Sequence, residues 1–245
     1  MRAIRFDGKH VSLVQDAPEP VAVAGEAIVR VVRAGVTAAE VAAARGLVPA
    51  APAILGHEFV GVVERVEAAA GRERDQALVG QRVVGSIEVA CGKCDLCRRG
   101  LSNHCRDLGL IGLAGRNGCL AERVAVPVRS LAALPAAVSD DAGVFALGAA
   151  AALHAAQLVR LEGRGYITVL GDNVAALLAA QAMAKLNASV RIVGSDPTCF
   201  TRAEKWGIKH RGIDDVGPGE PREIDLRAPL GRGQGLRRGL RRRRR

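Results

Sequence analysis

Apolar residues in this chain recur in two rhythms, and the change between them divides it. From Ala27 to Val32 the chain is dominated by Ile and Val after an approach containing Pro18, Pro20 and Gly25, which predicts a strand following a turn. Phe59 to Val66 is rich in β-branched residues, Arg82-Val83-Val84 sits behind Gly80, and Arg123 to Val126 ends at Pro127. The first 130 residues therefore predict a domain of short strands, interrupted by one helix of note from Ala38 to Arg45.

After Pro135 the texture becomes Ala-rich and helical. Tyr166 to Leu170 then forms a short buried-strand run ending at Gly171. Val174 to Leu186 has helical length and spacing, Val190 to Val193 reads as a second strand, a helix ends from Arg202 to Trp206 at Gly207, and Ile208 to Ile213 reads as a third strand. This is a βαβ pattern, which predicts a parallel sheet. The pattern breaks at Gly217-Pro218-Gly219, and from Gly231 only Gly, Leu, Gln and Arg occur. Such a segment cannot bury a core. The expected division is 1–145, 146–220 and a basic low-complexity tail, 221–245.

With 49% hydrophobic residues and 2% aromatics, the cores should be packed by small aliphatic side chains. The net charge of +10 first suggests a nucleic-acid partner, but +8 of it lies between Arg222 and Arg245. The tail has no aromatics to stack on bases, so nucleic-acid binding is not expected; its restriction to residues such as Arg, Gly and Leu, which have GC-rich codons, suggests a frameshifted or truncated reading. The N-terminus lacks a signal-peptide run and no apolar stretch has spanning length, so the expectation is a cytoplasmic protein without a membrane partner.

Four of the six cysteines, Cys91, Cys94, Cys97 and Cys105, lie within fifteen residues. Two, two and seven residues separate them. Close Cys-x-x-Cys pairs place sulfurs on one side of a tight turn, matching the closed tetrahedral site of structural zinc. Gly92 and Gly100 let the backbone wrap, and Lys93, Arg98 and Arg99 offset thiolate charge. Two disulfides would strain such short loops and need an oxidising compartment. An iron–sulfur cluster is the other competitor, but its Pro-terminated spacing is absent.

Gly56-His57-Glu58-Phe59-Val60-Gly61, Gly80-Gln81-Arg82-Val83, the cysteine cluster and Gly118-Cys119-Leu120-Ala121-Glu122 together resemble the zinc-containing alcohol dehydrogenases of the medium-chain dehydrogenase/reductase superfamily. The resemblance covers roughly residues 1 to 215. It implies an α/β protein, with an N-terminal GroES-like β-barrel domain followed by a truncated Rossmann doubly wound parallel sheet. It also implies an oxidoreductase that moves hydride between an alcohol or polyol, its carbonyl partner, and NAD or NADP. The family forms homo-oligomers, an expectation the short second half does not extend to this chain.

The family's catalytic zinc takes a Cys, the His of Gly-His-Glu, and a later Cys or Glu. Aligned on that pattern, this chain keeps His57, with Thr37 at the thiolate position, Ala39 where a proton-relaying hydroxyl is common, and Leu147 near the later ligand. The resemblance thus implies a degenerate catalytic site in which Thr37, His57 and Glu58 line the cleft. His57 is either a surviving ligand or proton-transfer group, or a hydrogen-bonded remnant, and Glu40 stands at the family's acidic supporting position. His10, His154 and His210 are expected to be structural or exposed.

In the phosphate loop, Gly171-Asp172-Asn173-Val174-Ala175-Ala176 replaces Gly-x-Gly-x-x-Gly and keeps only the first Gly. The cofactor is expected to lie against Gly171, Asp172, Asn173, Val174, Gly194 and Ser195 and to bind weakly. Gly194 where the ribose-binding acid belongs tilts the expectation toward NADP. The rival to an enzyme is a non-catalytic module stabilised by zinc.

Overall fold

The computed structural model describes residues 1–47, 53–159, 165–186 and 189–216. The tail expected over 221–245 lies outside these. The chain divides into two compact units, Met1–Ala151 and Ala152–Arg245.

In the first unit, β1 (Ala3–Phe6), β2 (Val11–Val14), β3 (Glu26–Gly35), α1 (Ala38–Ala44), β4 (Ala53–Ile54), β5 (Glu58–Glu67), β6 (Arg82–Gly85), β7 (Glu88–Val89), α2 (Asp95–Arg98), β8 (Gly109–Ile111), β9 (Gly115–Arg116), β10 (Arg123–Pro127), β11 (Leu131–Ala133) and α3 (Asp140–Gly143) follow one another. The main sheet runs β10-β3-β5-β6-β11, all antiparallel. Smaller sheets, β2-β1-β4 and β7-β8-β9, flank it in the chain. β3 and β5 form its spine, and two irregularities in their register, at Ile28/Val29 and Val31/Arg33, bend the ribbon. Ala27, Val29, Phe59, Val63, Val66, Val83, Val124 and Val126 fill the core. Phe59 is the one ring among them, as the aliphatic composition predicts.

The second unit takes up α4 (Ala146–Leu158) from Ala152 onward, then β12 (Tyr166–Leu170), α5 (Val174–Lys185), β13 (Ser189–Gly194), α6 (Pro197–Lys205) and β14 (Lys209–Gly212). β12, β13 and β14 pair in parallel and in that order. Parallel neighbours need a crossover, and α5 and α6 supply it. Asn173 caps α5 by accepting the Ala176 N–H, and Asp196 caps α6 ahead of Pro197 at its first position. Lys205 and Arg202 stand in the last turn of α6, where they oppose the helix dipole, and Gly207 (φ 68°) releases the chain toward β14. Ile167, Val169, Leu177, Ala180, Met183, Ile192 and Ala203 form the core.

The strands and helices expected from periodicity are present, with ends shifted by a few residues. The β1–β2 hairpin and the two- and three-residue strands β4, β7, β8, β9 and β11 carry no sequence expectation. They are too short to show a period.

Candidate metal site and His57 cluster

The cysteine loop leaves β7 and wraps through α2. Cys94 caps that helix, its sulfur accepting the Cys97 N–H (3.4 Å), and the Cys91 N–H donates to Cys105 Sγ (3.2 Å). Gly92 (φ 75°) and Gly100 (φ 78°) take the left-handed backbone that the turns at either end require. The result brings Cys91, Cys94, Cys97 and Cys105 together with all sulfurs within 4.8 Å of one another and no disulfide. A tetrahedron of sulfurs ~2.3 Å from zinc has edges of roughly 3.8 Å, so the cage needs only slight contraction. Cys94 to Cys105 is already 4.0 Å.

The electrostatics call for a cation. The backbone N–H groups of Arg106 and Cys97 hold the Cys94 thiol down at about 6, and those of Lys93 and Cys94 lower Cys91. Desolvation and the adjoining Cys94 sulfur push Cys97 up to about 12. A cluster that ionises part-way and resists the rest is completed by a divalent ion that displaces the remaining protons. Arg106 also pairs with Asp95 through two bonds (2.8 and 3.0 Å), bracing α2 against the end of the loop. Lys93, Arg98 and Arg99 are the counter-charges visible in the local sequence; this pair is not, because its members lie eleven positions apart.

His57 is placed by glycines. Gly56 (φ 97°) turns the chain into β5, and side chains on Gly112 or Gly118 would collide with the Gly56 backbone, at 2.2 Å from its carbonyl oxygen in both cases. Cys119 N–H donates to Gly56 O (2.9 Å) and Leu120 N–H to Leu55 O (2.9 Å), clamping the turn.

Next to that turn stands the start of α1. Glu40 is 2% exposed and its Oε1 lies 2.5 Å from His57 Nδ1. Its Oε2 accepts from Thr37 N–H (2.8 Å) and Thr37 Oγ1 (2.6 Å), while Thr37 Oγ1 accepts from Ala39 N–H (3.1 Å), forming a capping box. Burial opposes ionisation of Glu40, but the hydrogen bonds from His57 and Thr37 outweigh it and hold the carboxyl at about 2. Among the described residues no fully buried side-chain nitrogen or oxygen lacks a partner. His57 Nε2 has no partner among the described residues and is therefore not fully enclosed.

Glu58 is half-buried, forms no ion pair or hydrogen bond through its carboxylate among the described residues, and is raised above the usual range by burial. The Cys119 thiol is fully buried, 3.5 Å from Glu58 O, and desolvation with the Glu40 charge raises it far above the usual thiol range. Sequence reasoning missed Cys119 as a neighbour of this group, since it lies sixty-one positions from Glu58.

These residues do not fit a tightly held catalytic zinc. The Thr37 hydroxyl is spent as a donor to Glu40, the buried Cys119 thiol is turned to the Glu58 carbonyl (3.5 Å), and Leu147, in the first turn of α4, brings no ligand atom. Only the imidazole and the Glu58 carboxylate remain. His10 and His154 are exposed, and His210 stacks on Phe200 (4.5 Å) and pairs with Glu204 (2.7 Å).

In the second unit Gly171 (φ 127°) opens the turn between β12 and α5. Asn173 lies in extended backbone (φ −98°), so that position asks for no left-handed residue; its side chain instead takes the Ala176 N–H (2.9 Å). Asp172 reaches the end of β13, where its Oδ2 accepts from Ser195 N–H (2.6 Å), Ser195 Oγ (3.1 Å) and Asp196 N–H (2.9 Å). Gly194 lies beneath it, and Val174 begins α5 with its side chain exposed. The structure therefore brings Asp172, Gly194 and Ser195 into one cluster.

Residues 23–136 match the alcohol dehydrogenase GroES-like domain. The chain is 31% identical over 204 residues to an L-threonine 3-dehydrogenase of Chelativorans sp. strain BNC1, covering 80% of this chain and 54% of that protein. It superposes on alcohol dehydrogenase TADH from Thermus sp. ATN1 with TM-score 0.75 at 29% identity, over 89% of this chain and 65% of that one. An NADP-bound putative zinc-binding dehydrogenase from Sinorhizobium meliloti 1021 gives 0.73 at 29%, over 85% and 60%. The chain thus spans between about half and two thirds of the length of these proteins. Shared order of motifs, the matched domain and the superposed fold agree: residues 23–136 form an alcohol dehydrogenase GroES-like domain, and the chain as a whole is similar to the zinc-containing alcohol dehydrogenases of the medium-chain dehydrogenase/reductase superfamily.

Proposed function

We propose that the chain serves an NAD(P)-dependent oxidoreductase that interconverts an alcohol or polyol and its carbonyl partner, with one structural zinc held by Cys91, Cys94, Cys97 and Cys105. The observation that carries the reading is the parallel unit β12-α5-β13-α6-β14 opened by Gly171, a nucleotide mount of the kind that receives a pyrophosphate at the start of its first helix. NAD(P) bound there supplies the hydride acceptor. The chain's own contribution is proton handling. Glu40 anchors His57 at Nδ1 and leaves Nε2 to accept the alcohol proton, as a carboxylate-oriented imidazole does. Thr37 and Glu58 line the same cluster, Thr37 by fixing Glu40 and Glu58 by offering an unpaired carboxylate. A panel of alcohols and polyols, L-threonine included, assayed for NAD(P) reduction, tests the reading. Turnover that fails in His57→Ala supports it; no turnover and no nucleotide binding by the folded protein would overturn it.

A second reading, a non-catalytic module stabilised by zinc, is favoured by one observation. The Asn173 side chain occupies the Ala176 amide that would meet the pyrophosphate. Under that reading zinc binds and folds the cysteine loop but nicotinamide nucleotides do not bind at millimolar concentration.

A further inference from the structure

In nucleotide mounts of this kind an acid at the end of the second strand receives the ribose hydroxyls, and its replacement by small polar residues accommodates a 2′-phosphate. Here that position is Gly194, at the end of β13, twenty-three residues after Gly171. Taken alone, it points to NADP. The carboxylate is nevertheless present in space, because Asp172 delivers it from the preceding turn.

Three donors converge on one oxygen. Ser195 N–H, Ser195 Oγ and Asp196 N–H all give to Asp172 Oδ2, leaving Oδ1 without a partner among the described residues. The absent side chain at position 194 makes this possible, since a Cβ on Gly194 would lie 2.6 Å from Asp172 Cβ. The two amides and the hydroxyl are the donors a 2′-phosphate would need, and an internal anion already holds them. A second carboxylate adjoins the seat: Asp196 caps α6 through Thr198 N–H (2.8 Å). A phosphate monoester entering there meets two negative charges and finds the Ser195 and Asp196 donors already engaged, a like-charge juxtaposition that discriminates between partners. A ribose 2′-hydroxyl, in contrast, can donate to Asp172 Oδ1.

We propose that Asp172 is the cofactor-specificity residue of this chain, replacing the missing acid at Gly194 and selecting NAD over NADP. The inference rests on the dehydrogenase reading above and narrows it to one nucleotide. The backbone N–H groups that hold Asp172 also keep its carboxyl below the usual range, so the charge persists at neutral pH.

The test is calorimetric binding of NADH and NADPH to the full chain and to Asp172→Asn and Asp172→Ser. Asn retains an acceptor for the three donors and loses the charge; Ser removes both, with circular dichroism reporting whether the fold survives. The wild type should prefer NADH by about tenfold or more, and Asp172→Asn should shrink that ratio by about tenfold, mostly through tighter NADPH binding. Amide resonances of Ser195 and Asp196 should respond to 2′,5′-ADP in the variants and not in the wild type. A residue that only braces the loop would weaken both nucleotides equally, and an unchanged ratio overturns the assignment while leaving the dehydrogenase reading intact. Failure of any form to bind either nucleotide overturns the dehydrogenase reading and this assignment together.

Discussion

Glu40 is buried, charged and bonded on both oxygens, so its worth depends on pH in a defined direction. A carboxyl held below its unfolded value contributes stability above that value, near 4.5, and loses it as the pH falls toward the folded value of about 2. Glu40→Gln should therefore flatten the acid limb of thermal stability between those limits. At neutral pH it should cost about 2 kcal/mol, because a neutral amide leaves His57 and Thr37 poorly matched. Thermal melts from pH 2 to 7 check this, and identical profiles in the two proteins would show that the His57 contact carries no energy. Much of this residue chemistry was legible. His57 and Glu58 follow a recognisable glycine, and Thr37 falls at a known ligand position. The capping box is written in the sequence as Thr37-x-x-Glu40, but nothing local records that the same Glu40 carboxylate also reaches His57.

Among the elements, the cysteine loop is the one whose structure follows most directly from spacing. Cys97→Ser removes a sulfur from a cage that spans only 4.8 Å, so zinc content and melting temperature should fall together. Equal zinc in mutant and parent would remove the cysteines from the metal's coordination. Zinc uptake should also release protons and weaken as the pH falls toward and below about 6, where Cys94 takes up its proton; isothermal titration in buffers of different ionisation enthalpy measures this.

The turn before α5 yields a further expectation. Asn173→Gly frees the Ala176 amide and should raise nucleotide affinity severalfold, while the helix loses only a few tenths of a kcal/mol, since Gly is a tolerable cap. Unchanged affinity would show that the cap and the pyrophosphate do not compete. Parallel strands and crossover helices were legible here because each runs over enough residues to display its period. The bond from Asp172 to Ser195 and Asp196 was not, since no local pattern records where a loop side chain comes to rest twenty-three residues on.

For the molecule as a whole, family resemblance and metal content are separate matters. The chain shares the fold of proteins whose length it covers only in part, and it gathers the four sulfurs of Cys91, Cys94, Cys97 and Cys105 in one cluster. Around His57, a hydroxyl spent on Glu40 and an aliphatic side chain stand where the resemblance leads one to expect ligands, and the donors that remain, His57 Nε2 and Glu58, are too few for tight binding. Among the described residues no helix is long and apolar enough to cross a membrane. The cysteine cluster and the His57 cluster draw on residues far apart in sequence, so metal content in the parent and in Cys97→Ser separates them. Zinc per chain, measured by elemental mass spectrometry after exhaustive dialysis, should be one, and should fall to zero in Cys97→Ser; two tightly held zincs in the parent would contradict the account of the His57 cluster, and none would contradict that of the cysteine loop.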